Sequence, residues 1–133
     1  MSQSQHTTAR WILWILSFIW VALGVLFLVS PTLLFKDLGI QLTTADAATE
    51  IRAFYGGSQL GMGIWLGICA KKEDWLLPGL LSITFVTGMM LLFRIVFLVA
   101  TGSTHTGQMT TVGVEIVGTL LPLWAIRSVQ KSS

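Results

Sequence analysis

Charge is what this sequence has least of: only 11% of its 133 residues are Asp, Glu, Lys or Arg, against about 25% in an ordinary soluble domain. Hydrophobic residues make up 53%. One domain of this size could not hide that much apolar surface from water, which excludes a soluble globule and makes the lipid bilayer the expected surroundings. Cys69 is the only cysteine, so an internal disulfide is excluded, and its apolar neighbours mark it as a packing residue. His6 and His105 have no second His or Cys at ligand spacing, so no metal site is expected. The chain carries no haem-type His pair, nucleophile elbow or phosphate-cradling glycine loop, and no cofactor is expected. Its basic residues are scattered and its net charge is only +2, which excludes nucleic acid as a partner.

What is present is apolar length. Four apolar segments, each near the roughly 20 residues that cross a bilayer, predict an all-α integral membrane four-helix bundle in a single domain over residues 1–133. The helices are expected at about residues 11–30, 44–70, 75–100 and 109–126. The first outruns the roughly 7–15 apolar residues of a signal-peptide core, and no small-x-small site follows it, so it is expected to stay on the chain. Thr44 and Asp46 read as the cap and first turn of the second helix. Pro78 suits the first turn of the third. Between the first two helices, Leu33, Leu34, Phe35, Leu38 and Ile40 are expected to face lipid around Lys36 and Asp37.

Orientation follows from the basic residues. Arg10, Lys71, Lys72, Arg127 and Lys131 fall on one side of such a bundle and only Lys36 on the other. The positive-inside rule then puts both termini in the cytoplasm. Trp11, Trp14, Trp75 and Trp124 fall near the same cytoplasmic helix ends, where indole rings favour the interface, whereas Trp20 and Trp65 lie deeper.

The informative residues are the charges inside the apolar segments: Arg52, Arg94 and Glu115. With a rise of 1.5 Å per residue, all three fall about 9–12 Å below the outer helix ends. Each would cost about 2.5–3.5 kcal/mol at the bilayer centre. Burying them together, with Glu115 accepting from one or both arginines, is the economical arrangement. Arg52, Tyr55 and Gln59 follow an i, i+3, i+7 stripe, and Glu115 shares its stripe with Thr111, Gly118 and Thr119. Glu50 is set about 200° around the helix from Arg52, and whether it joins the network is left open. A purely structural ion pair that fixes helix register is the competing reading.

Glycine is concentrated in the second helix. Gly57 and Gly61 form one GxxxG spacing, Gly63 and Gly67 another, and Gly56 adds to the small surface. These glycines are expected to pack helices closely within the chain, with a dimer interface as the alternative. Gly61→Leu is therefore expected to disrupt folding and Ile64→Leu to be tolerated. Pro122 removes a backbone donor and frees the carbonyl of Gly118.

The stretch Glu50 to Gly67, EIRAFYGGSQLGMGIWLG, resembles the signature of a bacterial domain-of-unknown-function family numbered 4345. The resemblance extends over nearly the whole chain, through Arg94, Glu115 and the ending Trp124-Ala125-Ile126-Arg127. It implies membership of the DoxX-like group of four-helix membrane proteins and a multi-pass place in the bacterial inner membrane. Distant DoxX-like relatives include small subunits of quinone-linked sulfur oxidation, which makes a quinone-linked redox subunit the alternative function. The leading expectation is a non-enzymatic binding or accessory protein. Its pocket near the non-cytoplasmic face would be lined by Arg52, Tyr55, Gln59, Arg94 and Glu115. It would receive a lipid, fatty acid, quinone or other anionic or amphiphilic ligand, or a helix of a membrane protein partner or of a second copy.

Overall fold

The computed structural model describes the backbone of residues 3–36 and 39–130. The expectations for Asp37, Leu38 and Lys131 fall outside the described residues, as does that for the side chain of Leu34. Among the described residues the chain is helical, with no strand: α1 (Gln3–Val29), α2 (Leu33–Lys36), α3 (Ala45–Ile51), α4 (Gly57–Lys71), α5 (Leu76–Thr101) and α6 (Thr106–Gln130). A π turn (Arg52–Gly56) joins α3 to α4, and a 3-10 turn (Glu73–Trp75) precedes α5. Helix is the form in which an apolar segment satisfies its own backbone groups away from water.

Local signals set the ends. Ser30 N–H closes α1 onto Leu26 O at 2.8 Å, and Pro31 cannot continue the ladder. Thr44 caps α3 as expected, its Oγ1 accepting from Ala47 N–H at 3.1 Å, with Asp46 in the first turn. α5 ends at Gly102, which adopts a left-handed φ of 65°. α1 starts earlier than the apolar segment and α6 both starts earlier and runs further, because helix continues into polar ends that hydropathy does not register.

Among the described residues, three helical stretches are long and apolar enough to cross a membrane: His6–Val29, Glu73–Thr101 and Thr106–Arg127. α3, the π turn and α4 run on as one rod, with right-handed backbone at both Ile51 and Gly57. The apolar part of that rod, α4, has 15 residues.

α1 packs most extensively on α4, and α5 on α6; α6 closes onto α1, while α4 meets α5 more sparingly. The dense core lies at the end where α1 begins and α6 ends. Leu13, Leu66, Cys69, Leu80 and Ile83 are fully buried there. Around it, Trp65 Nε1 donates to Ser82 Oγ at 2.9 Å, Lys72 Nζ sits 4.2 Å from the Trp75 ring centre, and His6 Nδ1 lies 2.7 Å from Glu73 Oε1.

The glycines divide by face. A Cβ on Gly63 would stand 2.7 Å from Val21 N, and one on Gly67 2.9 Å from Ser17 Oγ, so both face α1. Ser17 Oγ donates to Gly63 O at 2.7 Å across that seam. Gly56 also faces α1, where a Cβ would meet Leu28 side-chain atoms at 2.9 Å. Gly57 and Gly61 do not: a Cβ on either would meet nothing within 4 Å. Their GxxxG spacing points away from the bundle because 3.6 residues per turn put it on a different face from Gly63 and Gly67. The expected disruption by Gly61→Leu is corrected accordingly. Gly24, which the sequence reading passed over, is the counterpart on α1, with Leu60 N only 2.6 Å from an added Cβ.

Candidate functional site

Arg94 and Glu115 meet as their matched depth on α5 and α6 requires. Arg94 Nε donates to Glu115 Oε2 at 2.8 Å and Nη2 to Oε1 at 2.7 Å. This two-pronged fork fixes both planes as well as the distance. The Glu115 side chain is 6% exposed and that of Arg94 24%. A third bond holds the guanidinium, from Nη1 to Gln108 Oε1 at 2.7 Å.

Below the pair, small residues bring α5 and α6 together. Pro122, fully buried inside α6, leaves Gly118 O without its helical donor, and Thr87 Oγ1 stands 3.2 Å from that oxygen. Thr119 Oγ1 lies 3.1 Å from Thr87 Oγ1 and 2.7 Å from Glu115 O. Each hydroxyl has one proton, and the nearest acceptors lie on their own helices, Ile83 O at 2.8 Å for Thr87 and Glu115 O for Thr119, so the two threonines bring α5 and α6 into close polar contact beneath the carboxylate.

Arg52 is not brought to Glu115. Its Nε donates to Leu28 O at 3.0 Å, at the C-terminal turn of α1, where carbonyls lack helical partners and a cation is favoured. The π turn explains the displacement. It adds a residue to the turn, so the i, i+3, i+7 stripe expected of Arg52, Tyr55 and Gln59 loses register across it. Tyr55 stays partly open to the surroundings, its ring 5.5 Å from Phe27 and 5.1 Å from Phe35. Ser58 Oγ donates to Phe54 O next to the same turn.

Because α4 meets α5 sparingly, the two splay at the end away from the core and leave a cleft of about 760 Å³, within the size range of small-molecule sites. Its inner end is formed by Trp20, Met62 and Val86, and Thr101 and Ser103 stand at the outer end. Phe54, Phe93 and Phe97 line it and remain exposed, so the cleft is open along its flank. Tyr55, Gln59, Arg94 and Gln108 supply polar groups to the same walls, whereas Arg52 and Glu115 do not line it. Gln59 Oε1 is buried there with no hydrogen-bond partner. Of the five residues expected in one pocket, three share the cleft, Glu115 reaches it through Arg94, and Arg52 stands apart.

Gln108 is the functional-site residue that sequence reading missed. It falls in a stretch read as a loop, yet α6 already includes it, and its spacing of seven from Glu115 places both on one stripe with Thr111. His105 is a local capping group, its Nδ1 accepting from Gly107 N–H at 3.2 Å. Among the described residues no group of His, Cys, Asp and Glu could hold a metal ion.

Comparisons with known proteins add one finding to this geometry. Neither the curated proteins nor the solved structures give a match to the chain. A family model described as a domain of unknown function, DUF4345, matches residues 8–126, a span that holds Tyr55, Gln59, Gln108 and the Arg94–Glu115 pair, and the chain belongs to that family.

Proposed function

We propose that this is a non-enzymatic membrane binding or accessory protein whose cleft takes up an amphiphile from the surrounding lipid. The observation that carries the reading is the cleft itself. Apolar, flank-open walls between α4 and α5 surround polar groups that include Tyr55, Gln59, Arg94 and Gln108, with Thr101 and Ser103 at the outer end. Such a cleft suits a molecule with one polar head and an apolar tail that continues into the bilayer. The rod from α3 to α4 is the fourth crossing, its polar outer end lying at headgroup level. Both termini are cytoplasmic, on the strength of the basic residues clustered at that end. The DoxX-like resemblance supports a multi-pass protein of the bacterial inner membrane, with the cleft on the far side of it.

The competing reading, a small subunit of a quinone-linked redox enzyme, would ask Tyr55 and Glu115 to handle protons. Glu115 is held by Arg94 through two bonds and does not line the cleft, which weighs against that role.

Two measurements test the proposal. In a Cys69→Ala background, single cysteines at positions 72 and 105 should label from opposite sides, with position 72 cytoplasmic; the reverse pattern would overturn the orientation. Native mass spectrometry of the chain released from detergent micelles should retain one small amphiphile per chain. Release of bare protein, at low collision energy and without delipidation, would remove the binding reading.

A further inference from the structure

The charges and donors around Arg94 go further than an unspecified amphiphile, and we infer that the ligand's head is an uncharged hydrogen-bond acceptor, the carbonyl of an ester or ketone. The inference rests on the binding reading above and names the class of molecule. Arg94 is the one cation lining the cleft among the described residues, and Glu115 balances it through two short bonds. The carboxylate stands behind the guanidinium, its side chain 6% exposed and outside the cleft lining. The cleft therefore meets donors whose charge is already matched. An anionic head would bring a second negative charge to that one guanidinium in surroundings of low dielectric, where an unmatched charge is costly. Arg52 cannot supply the missing positive charge, because it is bonded to Leu28 O and does not line the cleft.

The free donors follow from the bonds already made. A guanidinium has five N–H groups in one plane. Glu115 takes one from Nε and one from Nη2, and Gln108 Oε1 takes one from Nη1. One N–H is left on each Nη, and that of Nη2 lies on the edge turned away from Nε and Glu115. Gln108, which also lines the cleft, adds donors of the same kind. Its atom 2.7 Å from Arg94 Nη1 must be the oxygen, since two donors cannot bond each other, so its amide nitrogen keeps two N–H groups. Where Arg94 and Gln108 meet, the oxygens are engaged and the free groups are N–H. A carbonyl oxygen, with two lone pairs and no charge, answers such a place. A purely apolar ligand would cover these N–H groups and leave them without an acceptor, which is costly.

The test uses the full chain in dodecyl maltoside micelles and three probes built on an eighteen-carbon chain: methyl oleate, oleyl sulfate and 1-octadecene. Saturable binding of radiolabelled methyl oleate is followed with each unlabelled probe as competitor, at equal mole fraction in the micelle. Methyl oleate should compete roughly tenfold better than either of the others, the discrimination that a hydrogen bond from a charged donor brings. Arg94→Lys should reduce the preference over 1-octadecene to about threefold or less. It keeps the positive charge, but an ammonium has three N–H groups, and Glu115 and Gln108 offer three acceptor atoms for them. The double change, Arg94→Leu with Glu115→Leu, should show the same loss and serves if Arg94→Lys does not fold. Oleyl sulfate or 1-octadecene competing as well as the ester, or the preference staying intact in the folded variant, would overturn the uncharged-acceptor inference alone, provided that Met90→Trp in the cleft wall abolishes binding. Saturable binding that Met90→Trp leaves unchanged would instead overturn the cleft reading and this inference with it. So would the absence of saturable binding by all three probes, as when a helix of another chain fills the cleft.

Discussion

Glu115→Leu is expected to destabilise the folded protein by about 3–5 kcal/mol, the usual cost of leaving one partner of a buried pair uncompensated. The carboxylate accepts both prongs of Arg94 at 2.7 and 2.8 Å. Without it the guanidinium keeps only Gln108. Arg94→Leu should cost a similar amount by stranding the carboxylate. The double change, Arg94→Leu with Glu115→Leu, should cost much less than the sum of the two, because it removes the charge together with its partner. Arg52→Leu belongs outside this cycle and should add independently to Glu115→Leu, since Arg52 is exposed and bonded to Leu28 O. Unfolding free energies in mixed detergent micelles measure all four. Additive effects of Arg94 and Glu115 would contradict a shared buried pair, and coupling of Arg52 to Glu115 would restore the three-charge cluster.

Gly63→Leu should be the most damaging of the glycine substitutions in the rod, and Gly61→Leu among the mildest. A Cβ at position 63 would stand 2.7 Å from the backbone nitrogen of Val21 and 3.0 Å from Ser17 O, whereas at 61 it would meet nothing within 4 Å. Backbone cannot swing aside as a flexible side chain can. The helices must separate, breaking the Ser17–Gly63 bond and the dispersion contacts that hold membrane helices together. Over-packing costs about 1–3 kcal/mol even where side chains can adjust, and the loss at 63 should reach or exceed the upper end. Gly24→Leu should behave like Gly63→Leu, since Leu60 N lies 2.6 Å from an added Cβ there. Equal unfolding midpoints for the 61 and 63 variants would contradict the assigned faces.

The helices were legible because lipid leaves an apolar segment few other ways to satisfy its backbone. The Arg94–Glu115 pair was legible for a related reason: two opposite charges at one depth on sequence-adjacent helices have strong cause to meet. Other features depend on phase. A GxxxG spacing does not say which side of a helix its neighbour occupies, so Gly57 and Gly61 read like Gly63 and Gly67, while isolated Gly24 carried no signal. The π turn shifted Arg52 by breaking the α-helical period that the stripe assumed. Gln108 was hidden because the polar start of α6 resembles a loop. The cleft had no sequence signal, since it arises from how far α4 and α5 splay and not from any one segment.

Native mass spectrometry of the wild type beside Met90→Trp and Val117→Trp tests the cleft most directly. Met90 lines the cleft, and an indole there should occupy the volume the ligand needs. Val117 is exposed on α6 and does not line the cleft, so it controls for general effects of added aromatic surface. The account predicts one retained amphiphile per chain in the wild type and in Val117→Trp, and bare protein from Met90→Trp. The same adduct in all three proteins, or in none, would contradict it.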